Sequence, residues 1–522
     1  MSEPITYLTT TIPYVNASPH VGFALEIVQA DVLARHLRRR GHQVRFQTGT
    51  DDNSLKNVLA AQAQGVSTED LVDRNAAAFA ALRDPLALSF DEFVRTSRDP
   101  RHRAGVERLW RQCAQSGDLY RKHYEGRYCV GCEQFYTQAE LLDGRCAEHG
   151  TEPQLVAEEN WFFRLSRYQD QLYDLISTGR LRIEPAARRN EVLAFVAGGL
   201  EDFSISRSRA RAHGWGIPVP DDPDQVIYVW WDALGNYLTT LDYAIDGQAY
   251  RHWWVAGDRR VHLVGKGVTR FHAIYWPAML LSAGQPLPTD IYVHGYLTAA
   301  GERISKSGGN SVDPVSLVQR YGVDAVRWWL LREVPRVGDA DFTEGRLAAR
   351  ADTDLANGLG NLVNRTVSMV HRYRDGIVPT PAPGTEHPGV APAGVASTGG
   401  PAAVLARSLA EAPGLVDAAL ADFDFRAASG AIWAVVEAAN RFVNDRQPWQ
   451  LARAEAAGDQ AARAELDAVL GALVATCRSV GAELAPFLPV AADRIAAQLT
   501  AAADGTGRLP AATPLFPRSA DR

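Results

Sequence analysis

The chain opens on an apolar, β-branched and aromatic run, "ITYLTTTIPYVN", that ends in polar and turn-forming residues, the pattern of a buried strand feeding a loop. From His20, "HVGFALEIVQADVLARHLRRRGH" switches to apolar residues at helical spacing and gathers basic residues near its end. It closes at Gly41, which predicts a helix whose C-terminal dipole is met by cations. "QVRFQTGTDDN" returns to the strand pattern. Strand, loop, helix, strand is a βαβ unit with a parallel sheet, and its ligand site belongs at the carboxyl ends of the strands. A second set of such elements, "VIYVWWDAL", "RVHLVGKG" and "TDIYVHGYLT", follows later, each ending in a polar or glycine-containing turn. The interval between the sets, roughly 115–215, is rich in aromatic and charged residues and carries cysteines, so a sheet split by an inserted domain is expected. From about residue 315 the pattern is helical almost to the end. The Pro/Gly/Ala-rich stretch 379–403 is too poor in apolar side chains to pack and predicts a flexible loop. Alanine-rich helices then run to about 503, and no internal repeat is present.

Composition changes this picture little. A chain of 522 residues with 46% hydrophobic and 22% charged side chains fits a soluble globular protein of two to four domains. The net charge of −7 rules out a global positive field, though a local basic face can still bind phosphates. The N-terminus lacks a basic segment followed by an apolar core, and no apolar stretch is long enough to span a membrane, so a cytoplasmic protein without membrane contact is expected.

The cysteines carry more information. Of five, three cluster at Cys129, Cys132 and Cys146, while Cys113 and Cys477 stand alone in helix-like segments. With His149 the cluster reads C-x2-C-x13-C-x2-H, two tight pairs that can wrap opposite sides of a tetrahedral Zn²⁺. Four protein ligands leave no open position, so a structural zinc tying down a small knuckle is expected. Two further features point to phosphate. Pro19-His20-Val21-Gly22 lies where the first strand turns into the first helix, whose N-terminus offers unpaired N–H groups and a positive dipole. "GERISKS" (301–307) is a short basic loop with Arg303, Ser305, Lys306 and Ser307.

Together, Pro19–Gly22 and Arg303–Ser307 resemble the paired nucleotide-binding signatures of class I aminoacyl-tRNA synthetases. The segments "IPYVNASPHVG", "EENWFFRLSRY", "HGWGIPVP", "YVWWDALGNYL", "RFHAIYWPAML", "YVHGYLTAAGERISKS" and "NRFVNDRQPW" narrow the resemblance to the methionyl family over nearly the whole chain. That resemblance implies an α/β fold. Its Rossmann-type catalytic domain (1–115 and 216–312) is split by a zinc-knuckle insertion (116–215). A stem-contact segment (313–350) and an α-helical anticodon-binding domain (351–522) follow. It also implies methionine activation to methionyl-adenylate and transfer to methionine tRNA, with ATP, Mg²⁺ and structural Zn²⁺, by a monomer.

The residues implied are specific. Ile12, Tyr14, Asp51, Trp230, Ala233, Leu234, Tyr237 and His272 match methionine-site positions. Aromatic walls suit a thioether, and a carboxylate suits the substrate ammonium. His20, Gly22 and Lys306 match catalytic positions, joined by Arg303 and Ser307 around ATP. Asn357, Asn361 and Arg365, at i, i+4 and i+8, match the anticodon-reading helix, and Trp449 its stacking partner. Four positions depart from the family pattern near ATP: Phe23 for histidine, Asn53 within "GTDDNS", Gly267 for aspartate and Arg303 for lysine. They leave two alternatives to a working ligase, an enzyme passing the adenylate to a non-tRNA acceptor and a catalytically weak tRNA-binding paralogue.

Overall fold

A computed structural model describes residues 3–147, 150–299, 301–304, 311–379, 400–501 and 507–516. The chain divides into two units. One is built from residues up to Asp84 together with Leu88–Tyr296, the other from Pro85–Ala87, Leu297–Ile304 and the chain from Val312 onward.

The first unit is organised by a six-stranded parallel sheet in the order Glu92–Arg95, Gln43–Thr50, Ile5–Thr10, Arg259–Gly265, Asp290–His294, Arg182–Glu184. Its central strands are buried on both faces, which is why they read as apolar runs rather than alternating ones. The chain leaves Ile5–Thr10 toward one edge and returns on its other side at Arg259–Gly265, so the strand order reverses between these two. The crevice at their carboxyl ends is where such sheets bind ligands. The helix Val21–Arg39 crosses from the first strand to the second and ends with His36, Arg38 and Arg39 in its last turn.

Two expected elements differ. "VIYVWWDAL" is not a strand of this sheet. Asp222–Ile227 pairs in a small antiparallel sheet, and Val229–Thr239 is a helix with ten of its eleven residues buried. A helix enclosed on every side shows no amphipathic stripe, so its apolar run resembles a buried strand. The interval 116–215 is also not wholly an insertion. Leu119–Cys129, Gln134–Tyr136, Gln154–Phe163 and Phe203–Ser204 form a separate antiparallel sheet, but Arg182–Glu184 joins the edge of the main one.

The second unit is helical. It comprises the helices Pro314–Tyr321, Val323–Arg332, Pro401–Ala421, Phe425–Arg446, Pro448–Ala456, Gln460–Leu484 and Pro489–Leu499 and one uninterrupted helical run, Glu344–Arg374. That run is α-wound at its ends and π-wound over Ala351–Gly360, so residue 350 falls inside a helix and not at a break. Leu297–Ala299 pairs with Ala340–Asp341 and with Glu302–Arg303 in a small sheet of this unit. In this unit the fully buried Arg327 donates to the carbonyls of Leu86, Pro486 and Phe487. No helix among the described residues is long and apolar enough to cross a membrane.

Candidate active site

The carboxyl ends of the central strands bring the expected amino-acid residues together. Tyr14 and Asp51 form an isolated parallel bridge just beyond the first two strands. The buried helix Val229–Thr239 lays Trp230, Ala233 and Tyr237 against them. Ile12, Val94 and Ala233 form a small apolar cluster on which Trp230 packs, while Leu234 turns into the main core. Trp230 stacks on Phe271 with ring centroids 3.8 Å apart and meets Tyr14 edge-on at 6.3 Å.

His272 closes this wall. Its Nδ1–H donates to the Val268 carbonyl at 3.0 Å, leaving Nε2 to accept from the Tyr237 hydroxyl at 2.8 Å. Burial pushes the imidazole down to about 4, so it is neutral, while burial drives the Tyr237 phenol well above its ordinary range. The neighbouring His262 donates to Thr9 and accepts from Trp276 Nε1, and burial beside His272 holds it well below the usual histidine range. The wall is therefore polarizable and uncharged.

Four carboxylates of the site, Asp51, Asp52, Glu133 and Asp232, are all buried. Asp52 is neutralised by Arg95 at 3.0 Å and accepts from Ser97 at 2.7 Å. Asp232 accepts from His102 and, at 2.6 Å, from Asn53 Nδ2. Glu133 Oε1 accepts from Ser54 Oγ at 3.0 Å, and the Arg207 guanidinium interacts electrostatically with it. Asp51 is different. Among the described residues its carboxylate has no cation in salt-bridge range and accepts only the Asn53 backbone N–H at 3.1 Å. Burial, then the charges of Asp232 and Glu133, push it well above the carboxylate range. A buried carboxylate in that state binds a cation with its own ammonium donors far better than it tolerates being left alone.

The phosphate-facing features are partly visible. His20 caps Val21–Arg39, its Nδ1 accepting the Gly22 N–H at 3.0 Å. A Cβ on residue 22 would come within 2.8 Å of His20 Cε1, so glycine is what allows the imidazole to fold over the helix start. No acidic residue occupies the first turn, which leaves the positive end of the dipole uncompensated. Phe23 is a buried core residue, edge-on to Phe79 at 5.0 Å, and so takes no polar group from a ligand. Asn53 gives its amide to Asp232 and not to the phosphate side. Gly267 lies in the turn Lys266–Val268 after the fourth strand of the sheet order, where Lys266 Nζ sits 4.5 Å over the Tyr296 ring. Arg303 contributes its backbone to the pairing with Thr298, but its side chain, like Ser305, Lys306 and Ser307, lies outside the described residues.

Three of the four expected zinc ligands converge. The Sγ atoms of Cys129, Cys132 and Cys146 lie within 4.8 Å of one another, and no disulfide joins them. Thiolates at the usual Zn–S distance stand about 3.8 Å apart around a tetrahedron, so the donor set fits. Tyr136 donates its hydroxyl to Cys132 Sγ at 2.9 Å, an outer contact of the kind that orients a thiolate. His149 lies outside the described residues.

In the helical unit Asn357 and Asn361 are exposed and Arg365 half-buried along the Glu344–Arg374 run. Asn357 lies in the π-wound part, one residue before Gly358, where a Cβ would come within 2.6 Å of the Trp433 ring and whose carbonyl accepts from Asn440. Trp449, half-buried, sits in the first turn of Pro448–Ala456 after Gln447 in the left-handed region.

Sequence reasoning passed over Asp232, His102 and Glu133. Asp232 was inside a recognised segment, but only its apolar neighbours had been assigned. His102 carries no local motif, and Glu133 is hidden beside the cysteine pattern.

Comparison with known proteins gives consistent matches. The family described as tRNA synthetases class I (M) matches residues 6–148 and 138–367. A methionine–tRNA ligase of Mycobacterium bovis is 44% identical over 87% of this chain and 85% of its own. One from Brucella melitensis is 39% identical over 99% and 98%. The crystal structure of Mycobacterium tuberculosis methionyl-tRNA synthetase bound by methionyl-adenylate superposes with a TM-score of 0.89 at 38% identity, covering 99% of this chain and 100% of that one.

Proposed function

Since the chain belongs to the methionine-type class I tRNA synthetases, we propose that the pocket around Asp51, Trp230 and His272 is its methionine site and that the start of Val21–Arg39 is its ATP site. The chain activates methionine with ATP and charges tRNA, as a methionine–tRNA ligase. The observation that carries the site assignment is the pairing of one unneutralised buried carboxylate with a neutral aromatic wall, which suits an ammonium at one end and a thioether at the other.

In the first step a substrate carboxylate oxygen attacks the α-phosphorus of ATP, the bond to the β-phosphate breaks, and pyrophosphate leaves. Asp51 fixes the ammonium, while Ile12, Tyr14, Trp230, Ala233, Tyr237 and His272 fix the side chain, with Leu234 behind them in the core. This makes the attack effectively intramolecular. His20, with Gly22 leaving room for its ring, and the helix N-terminus stabilise phosphate charge. Lys306, Arg303 and Ser307 add to it as charge moves onto the leaving group. Mg²⁺, held mainly by phosphate oxygens, supplies further charge neutralisation when bound. In the second step a ribose hydroxyl of the tRNA's terminal adenosine attacks the acyl carbon and AMP leaves. Zinc on Cys129, Cys132, Cys146 and His149 holds the knuckle, and the protein works in the cytoplasm.

Asn357, Asn361, Arg365 and Trp449 present amide, guanidinium and aromatic groups of the kind that read unstacked anticodon bases. Trp449→Ala is expected to lower charging of methionine tRNA at least tenfold while leaving methionine-dependent ATP–pyrophosphate exchange within twofold. Equal loss in both assays would make Trp449 a packing residue only. The whole reading is tested by that exchange reaction across a panel of amino acids.

A further inference from the structure

Glu133 follows Cys132 directly and is fully buried, with its backbone in the left-handed region at φ 55°. A non-glycine residue persists there only when its surroundings hold it. Two of its hydrogen bonds lead to the amino-acid pocket. Its carbonyl accepts the Tyr228 hydroxyl, and Tyr228 caps the helix that carries Trp230, Ala233 and Tyr237. Its Oε1 accepts from Ser54, which caps the next helix and stands just after Asp51–Asn53.

The other oxygen, Oε2, is buried and makes no hydrogen bond of ordinary geometry among the described residues. The Tyr14 hydroxyl, also without a hydrogen bond of ordinary geometry, interacts with the Glu133 carboxylate, and Trp230 Nε1 is buried without a hydrogen-bond partner among the described residues. Such poorly satisfied groups are costly, and these border one pocket. A substrate ammonium has three donors, of which Asp51 can take only part, so a second carboxylate oxygen nearby completes its coordination.

We infer that Glu133 is an amino-acid-binding residue which the cysteine knuckle carries into the pocket, so that metal on the knuckle and amino acid in the pocket stabilise one another. This rests on the reading of the pocket as the methionine site. Coupling of this kind is reciprocal: whatever zinc does for methionine affinity, methionine does for zinc retention.

The test uses the full-length, zinc-loaded protein with methionine alone as ligand, followed by calorimetry and by zinc loss to a chelator. In the unaltered protein, saturating methionine is expected to slow zinc loss at least threefold. Glu133→Gln, which keeps the shape but removes the charge, is expected to weaken methionine binding at least tenfold with ATP affinity unchanged, and to make zinc loss insensitive to methionine. Ser54→Ala, which frees the Glu133 side chain without altering its charge, is expected to weaken methionine binding about threefold, and it decides the matter if the first variant folds poorly. Methionine binding by Glu133→Gln within twofold of the unaltered protein, or zinc loss indifferent to methionine in the latter, overturns the inference alone. No methionine binding by the unaltered protein overturns the site assignment as well.

Discussion

Asp51→Asn is expected to raise the KM for methionine by about 30- to 1,000-fold with the KM for ATP changed less than threefold, from loss of about 2–4 kcal/mol in one charge-assisted contact to a buried ammonium. The argument rests on the imbalance among four buried carboxylates. Asp52 has Arg95 and Asp232 has His102, whereas among the described residues Asp51 accepts only a backbone N–H. Burial beside Asp232 and Glu133 raises its carboxyl well above the usual range.

Two consequences of sign follow. Binding an ammonium draws Asp51 into its ionised form, so methionine affinity rises with pH through the raised value and binding releases a proton. Calorimetry in buffers of different ionisation enthalpy reads that proton, and Asp51→Asn abolishes its release. A folded-state value above the unfolded one also means that this group's stabilising contribution is complete below the unfolded value and lost as pH rises through the folded one. At neutral pH Asp51 thus costs stability, and Asp51→Asn raises the melting temperature while it destroys binding, the usual trade at a functional site. Unchanged methionine KM, or a lower melting temperature with lost binding, contradicts the role.

Lys306→Ala is expected to lower the rate of adenylate formation at least tenfold, with methionine affinity within twofold. Its ammonium acts on charge that grows along the reaction, so its removal falls on the chemical step rather than on ground-state binding. Arg303 keeps a cation three residues earlier in the sequence but carries a planar fork with a different reach, so it is not expected to replace Lys306. Rapid-quench measurement of adenylate in a single turnover separates the step from product release. A near-normal rate removes Lys306 from the mechanism.

What the chain reveals unaided follows from how local each signal is. The unit from Ile5 to Thr50 was legible because strand, capped helix and strand each satisfy their own periodicity within a few residues. The knuckle was legible because metal ligation constrains spacing, and the three cysteines converge accordingly. Val229–Thr239 misled because total burial erases the helical stripe, and Arg182–Glu184 was passed over because three residues carry no pattern. The methionine-site residues were assigned from resemblance; Tyr14, Asp51, Trp230 and Ala233 lie beside the strand ends, whereas Leu234 turns into the core. Glu133 and His102 meet the site across long sequence separations, 79 residues from Ser54 and 130 from Asp232, which no local motif encodes. Two of the departures that looked like losses near ATP have structural occupations instead, Phe23 in the core against Phe79 and Asn53 on Asp232.

The central claim is that this site makes methionyl-adenylate. ATP–pyrophosphate exchange with purified protein, run with methionine and with each other proteinogenic amino acid, tests it most directly. The predicted result is exchange that depends on methionine and falls at least a hundredfold with the others. No methionine-dependent exchange at high enzyme and ATP concentrations, or faster exchange with another amino acid, would contradict it.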